Sequence, residues 1–281
     1  MKKKLIILTG PTAVGKTDLS IRLARTVGGE IISADSMQVY RRMDIGTAKI
    51  RPEEMDGVRH HLIDILEPTE SFNAFLFKEY ALKAANEIWE RGSIPIIVGG
   101  TGFYIQTLLY DIEFAKSDEN DGIRDELNKL YEEHGAAFLH DMLAKVDPEY
   151  AAEVHENNVK KVIRAIEFYR QTGHKLSEHN TEQRERTSPY NFEYFVLSDD
   201  RTVLYERIDK RIDGMVEAGL IAEVQALLDE GVDRESVAMQ GLGYKEIASY
   251  LAGEISLDEA IYILKRDTRH FAKRQLTWFR R

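Results

Sequence analysis

The sequence contains no cysteine, which excludes disulfides and the usual cysteine-based zinc sites. It has no apolar run approaching membrane-spanning length. Lys2, Lys3 and Lys4 lead into only four apolar residues, too few for a secretory signal, so a cytoplasmic location without membrane contact is expected. An excess of positive charge is missing as well. The net charge of −10 argues against a surface generally coated by nucleic acid. Internal repeats and low-complexity segments are also absent. What is present is 281 residues, 43% hydrophobic and 31% charged, the composition of a globular chain long enough for more than one domain.

The most informative stretch is Leu5 to Thr17. A short apolar strand pattern flows into Gly10-Pro11-Thr12-Ala13-Val14-Gly15-Lys16-Thr17, which fits the phosphate-loop spacing G-x-x-x-x-G-K-[ST]. Glycines let the chain wrap with its N–H groups inward, and the following helix adds the partial positive charge of its N-terminus. Lys16 supplies an ammonium for phosphate oxygens, and the Thr17 hydroxyl is placed to bind Mg²⁺. A group carrying a diphosphate or triphosphate is expected here.

Strand and helix patterns alternate through residues 1–110. Strands are expected near 29–34 and 94–98, a helix near 73–91, and a polar, irregular stretch at 37–68. From about Asp111 to Arg186 the signals are helical, over 123–133, 136–146, 148–154 and 159–169, and a polar stretch, 178–188, leads back out. Phe192 to Leu197 then returns as a strand, and further helices follow. The expected architecture is α/β: a phosphate-loop NTPase-like parallel sheet flanked by helices, formed by 1–110 and 187–281, with an all-helical insertion at 111–186.

In such sheets ligands sit beyond the carboxyl ends of the strands. Three of these strands finish at chemically loaded residues: the phosphate loop, Asp35, and Gly99-Gly100-Thr101. Asp35 reads either as a general base or metal partner, or as a carboxylate capping the next turn. Thr101 reads as a catalytic hydroxyl or as a turn or helix cap. The strand that would end in a Mg²⁺-holding Asp in many NTPases ends here in Gly-Gly-Thr, so diphosphate binding without hydrolysis fits better. The doublet His60-His61 has no carboxylate spaced to complete a metal site.

Charge is unevenly distributed. Residues 261–281 carry seven Lys/Arg against one Asp, a net of +6 that leaves −16 for the rest. Arg266, Arg269, Lys273 and Arg280 share one helical face there, read either as the solvated side of a packing helix or as a contact to a polyanion backbone. Arg207 and Arg211, one turn apart, read as a solvated charged face with i,i+4 pairing, with a phosphate-facing Arg211 as the second reading.

The segments GPTAVGKT, ISADSMQVY (32–40), MDIGTAKI (43–50), HHLID (60–64), VGGTGFY (98–104) and QGLGYKE (240–246) together resemble bacterial tRNA dimethylallyltransferases, in order and over essentially the whole chain. The resemblance implies that residues 10–17 and Arg211 hold the diphosphate of dimethylallyl diphosphate, with Asp35 as general base and Thr101 as the catalytic-site hydroxyl. It implies tRNA contacts by Asp35, Ser36, Met37, Gln38 and Thr101, by Ile123, by Lys160, Lys161 and Arg164, and by Gln240, Gly241, Leu242, Gly243, Tyr244 and Lys245. Family members commonly carry Asn-Asp ahead of an Arg-containing version of the 160–164 segment, where this chain has Asn157-Asn158 and Lys160-Lys161.

The implied activity is alkylation of the exocyclic amine of the adenosine 3′ of the anticodon. The partners would be a tRNA anticodon stem-loop and dimethylallyl diphosphate, with Mg²⁺ as cofactor and the protein acting as a monomer. Three alternatives stand beside it: a small-molecule kinase on the same scaffold, a prenyltransferase for free adenine nucleotides, and a non-catalytic RNA-binding protein.

Overall fold

The computed structural model describes residues 2–114 and 122–280. Residues 115–121, in the stretch expected to be helical, and Arg281, the last of the basic segment, lie outside the described residues. The chain divides into two compact units, one made of Met1–Leu109 with Pro189–Arg281, the other of Tyr110–Ser188.

The first unit begins with β1 (Lys4–Thr9), α1 (Lys16–Val27), β2 (Gly29–Ala34) and a 3-10 turn over Pro52–Met55. Next come β3 (His60–His61), α2 (Ala74–Glu90), β4 (Ile94–Gly99) and α3 (Gly102–Leu109). The second unit holds α4 (Ile123–Val146), α5 (Pro148–Glu153), α6 (Val159–Thr172) and α7 (Leu176–Glu185). The chain returns to the first unit with β5 (Asn191–Val196), α8 (Arg201–Glu217), α9 (Leu220–Asp229), α10 (Tyr244–Leu251) and α11 (Leu257–Phe279).

The five strands form one parallel sheet in the order β3-β2-β4-β1-β5. Ile7, Leu8, Ile32, Ile96 and Ile97 are fully buried in it. Strands covered on both faces need no polar alternation, which explains why three of these segments read as continuous apolar runs. The short β3 lies inside the stretch expected to be irregular. Two residues are too few to show a period, and their side chains are polar. His61 meets the Glu30 carboxylate at 2.7 Å, and Glu30 is in turn clamped by two hydrogen bonds from Arg91. Those Arg91 bonds chiefly hold the Glu30 carboxyl below its ordinary range.

Register fixes the site. Gly99 of β4 stands level with Thr9 of β1 on one side and Ala34 of β2 on the other. The residues that follow, Gly10, Asp35 and Gly100, therefore leave the sheet side by side. Gly99 must be glycine for this: a Cβ there would lie 2.3 Å from the Ala34 carbonyl oxygen.

In the second unit α4 is broken at Gly135, whose φ of 83° is not helical, between the two apolar runs seen in the sequence. Leu127, Leu139 and Leu143 of α4 form its core with Val162, Ile163, Ala165 and Ile166 of α6. Each large apolar side chain so buried contributes about 1.5–3 kcal/mol. The polar exit expected at 178–188 is instead largely helical, as α7. Leu176 is the one apolar residue in the α7 sequence, so that sequence shows no apolar period. The helix is anchored by the buried Asp147, which accepts hydrogen bonds from the Ser177 N–H (2.9 Å) and hydroxyl (2.7 Å).

Candidate functional site

The loop after β1 has the backbone its glycines promise. Gly10, Ala13 and Gly15 have φ of 149°, 64° and 89°. Ala13 adopts the left-handed region without being glycine, a strain of about 1–2 kcal/mol. At Gly10 a Cβ would lie 2.6 Å from the Leu197 carbonyl oxygen, so the close passage of the loop over the end of β5 requires glycine. The Lys16 ammonium donates to the carbonyl oxygens of Gly10 (2.9 Å) and Pro11 (2.7 Å). Burial lowers its pKa to about 8; Asp35 raises it and Arg211 lowers it further. Below that pH the lysine carries its charge, and an arriving anion would favour the charged form further.

A cavity of about 340 Å³ opens beyond the strand ends, a size suited to a small ligand group. Its polar lining includes Thr12 of the loop, Asp35 and Ser36 after β2, Gly100 and Thr101 after β4, and Arg211 of α8. Its apolar lining includes Met37, Ile208, Ile212, Met215, Leu242 and Phe271. Burial lowers the Arg211 pKa, yet a guanidinium starts high enough to stay charged. Arg207, one turn earlier, is paired with Asp199 at 2.8 Å. Only the second of the two arginines faces this chemistry.

Asp35 caps the turn and stands at the cavity as well. Its Oδ1 accepts the N–H groups of Met37 (2.8 Å) and Gln38 (3.2 Å), closing the turn, while the residue lines the cavity. This turn holds the carboxylate in place. Thr101 lines the same cavity, and its carbonyl accepts the Ile105 N–H at the start of α3.

The segments expected to meet tRNA divide in the structure. Ser36, Met37, Gln240, Gly241, Leu242, Gly243 and Lys245 line the cavity. Gln38 does not project there: its amide reaches the Thr47 carbonyl and the Ser33 hydroxyl. Tyr244 is a correction. Its side chain is fully buried against Gly46, where a Cβ would lie 2.6 Å from the ring, and cannot be a contact surface. Ile123, Lys160, Lys161 and Arg164 belong to the second unit, where the last three stand on the exposed side of α6.

Two residues that sequence reasoning passed over hold the cavity walls. The Glu223 carboxylate accepts the N–H groups of Asp44, Ile45 and Gly46 at 2.8–3.0 Å and the Tyr244 hydroxyl at 2.6 Å. This joins the 43–50 and 240–246 segments. Gln275 of α11 accepts the Thr12 N–H (2.9 Å) and donates to the Gly100 carbonyl (3.0 Å). No local pattern announces a lone Glu or Gln that serves distant backbone.

The basic face of α11 is smaller than its charge count implied. Arg269 is committed to Asp209 through two 2.8 Å bonds, and Arg266 to Asp267 at 2.8 Å. Among the described residues no cluster of three His, Cys, Asp or Glu side chains is arranged to hold a metal ion. Thr17, exposed in the first turn of α1, offers a single hydroxyl. That donor set fits Mg²⁺ carried mainly by phosphate oxygens and water, the common arrangement for this ion. No helix is long and apolar enough to cross a membrane among the described residues.

Residues 38–281 match the family model described as IPP transferase. The chain is 60% identical over 277 residues to the tRNA dimethylallyltransferase of Lachnoclostridium phytofermentans, covering 99% of this chain and 88% of that one. It is 53% identical to that of Carboxydothermus hydrogenoformans, covering 100% and 90%. Among solved structures it resembles the full-length tRNA isopentenylpyrophosphate transferase of Bacillus halodurans, with a TM-score of 0.73 and 49% identity over 99% of this chain and 87% of that one. It also resembles a eukaryotic dimethylallyltransferase acting on tRNA, with a TM-score of 0.87 and 34% identity over 98% and 69%.

Proposed function

This chain belongs to the IPP transferase family and is a prenyl-transferring enzyme of tRNA, and from that premise we propose how its cavity performs the transfer. The donor is dimethylallyl diphosphate, and the acceptor is the exocyclic amine of the adenosine 3′ of the anticodon. The observation that carries this reading is the register of β1, β2 and β4, which brings Thr12 of the phosphate loop, the Asp35 carboxylate and the Thr101 hydroxyl to one partly apolar cavity.

The adenine leaves its stack to enter. Its amine attacks the first carbon of the allyl group; the carbon–nitrogen bond forms as the carbon–oxygen bond breaks, and that electron pair leaves with the diphosphate. Asp35 accepts the amine proton. Lys16, Arg211 and the N–H groups at the start of α1 stabilise the charge on the departing diphosphate, while the apolar lining excludes water that would otherwise capture the allyl group. Thr101 orients the amine. Thr17 would hold Mg²⁺, which supplies further neutralisation of diphosphate charge. Exposed Lys160, Lys161 and Arg164 in the second unit, and Lys273 of α11 in the first, each provide a cation for the tRNA backbone. The protein acts in the cytoplasm as a monomer.

The test is incubation with radiolabelled dimethylallyl diphosphate and either unmodified tRNA or AMP. Label is expected in tRNA alone. Label in AMP would make the protein a nucleotide prenyltransferase, and ATP turnover with a small-molecule acceptor would make it a kinase.

A further inference from the structure

The C-terminal helix reaches the heart of the cavity through one buried amide. Gln275 is 5% exposed, and its two ends serve different strands' loops. Oε1 accepts the N–H of Thr12, in the loop after β1, and Nε2 donates to the carbonyl of Gly100, in the turn after β4. The orientation of the amide is dictated by its partners, because a flip would set donor against donor and acceptor against acceptor. Gly100 is shaped to the same contact: a Cβ there would lie 2.1 Å from Nε2. No positive φ accounts for this glycine, so its reason is the approach of the amide. The contact also removes the Thr12 N–H from the donors that the loop can turn toward a phosphate.

We propose that Gln275 is a positioning residue for prenyl transfer: it sets the separation between the loop that cradles the leaving diphosphate and the Gly100-Thr101 turn that receives the amine. The inference rests on the transfer reading of this cavity. The two loops are already fixed at their roots by sheet register, but beyond Thr9 and Gly99 no ladder continues between them. The amide replaces that ladder one to three residues further out, where the substrates meet. Its effect on stability is modest, since two neutral hydrogen bonds contribute little net free energy. The effect on rate is larger, because a displacement of about 1 Å between reacting groups costs about a hundredfold.

Gln275→Met keeps the length and packing of the side chain and removes both bonds. In single-turnover labelling of tRNA, the amplitude reports the fraction of folded sites and the rate reports the chemistry. The expected result is a rate about 10–100-fold below wild type at near-normal amplitude. KM for both substrates should stay within about threefold. Gly100→Ala, which pushes the amide away from the opposite side, should show the same split. The double variant should fall no further than the worse single one. A normal rate with reduced amplitude, additive losses, or failure of both single variants to fold would overturn the proposal and leave Gln275 as packing. Failure of the wild-type protein to label tRNA at all would instead remove the transfer reading beneath it.

Discussion

The phosphate loop and α11 form facing parts of one cavity, and they are built on opposite principles. The loop works through main chain: left-handed φ at Gly10, Ala13 and Gly15, with a helix N-terminus behind them. The helix works through isolated side chains, a buried Gln275 and a Trp278 ring over Gly102, where a Cβ would lie 2.2 Å from the indole. Backbone-built sites leave a compact signature in sequence, because only certain residues tolerate the conformation. Side-chain-built walls leave almost none, since a Gln on a helix looks the same whether it meets water or a distant loop.

The largest expected effect lies on the strand-end side of that comparison. An exocyclic amine is a poor nucleophile, its lone pair being delocalised into the ring, so removal of its proton matters. Asp35→Asn keeps the Met37 and Gln38 turn bonds through its amide oxygen but cannot take the proton. Single-turnover transfer at saturating substrates should slow by about 10²–10⁴, with both affinities within a few-fold of wild type. A near-normal rate would place the base elsewhere.

Lys16 comes next. Lys16→Ala should weaken dimethylallyl diphosphate binding by about 1.5–3 kcal/mol, roughly 10–150-fold, while tRNA affinity holds. Its lowered pKa adds a pH signature in the wild-type protein. Below about pH 8 the ammonium is charged and binding is strong. Above it, binding must first restore the proton, so affinity should fall by up to about tenfold per pH unit, with proton uptake visible by calorimetry in two buffers. A flat affinity from pH 7 to 9.5 would contradict the buried environment of this lysine.

The smallest effects belong to the outer face of α11. Arg269 already serves Asp209, so Arg269→Gln should leave the salt dependence of tRNA binding nearly unchanged. Lys273→Gln should lower the slope by at most about 0.7–0.9, the share of one phosphate no longer neutralised. Equal effects from both variants would mean that counting charges was enough, and that the pairing to Asp209 dissolves on binding.

Much of this could be read in advance where chemistry is local. The phosphate loop, Asp35 and Thr101 declared themselves by spacing and by their place after apolar strands, and the parallel sheet followed from the alternation that surrounds them. The helix α7 stayed hidden because its anchor is Asp147, thirty residues before Ser177 and outside any apolar period. Tyr244 differs from the contact that the resemblance of its segment implies, and only the glycine at 46 and the carboxylate at 223 show that it is core.

Glu223 binds the N–H groups of 44–46 as a phosphate would be bound, with the Tyr244 hydroxyl as a fourth donor. One carboxylate thereby makes three remote pieces of chain into a single exchangeable part. Anyone transplanting the 43–50 segment, or diversifying it to change which base the cavity accepts, must carry positions 223 and 244 along with it. Altered alone, the segment loses its internal anion, and the wall of the cavity goes with it.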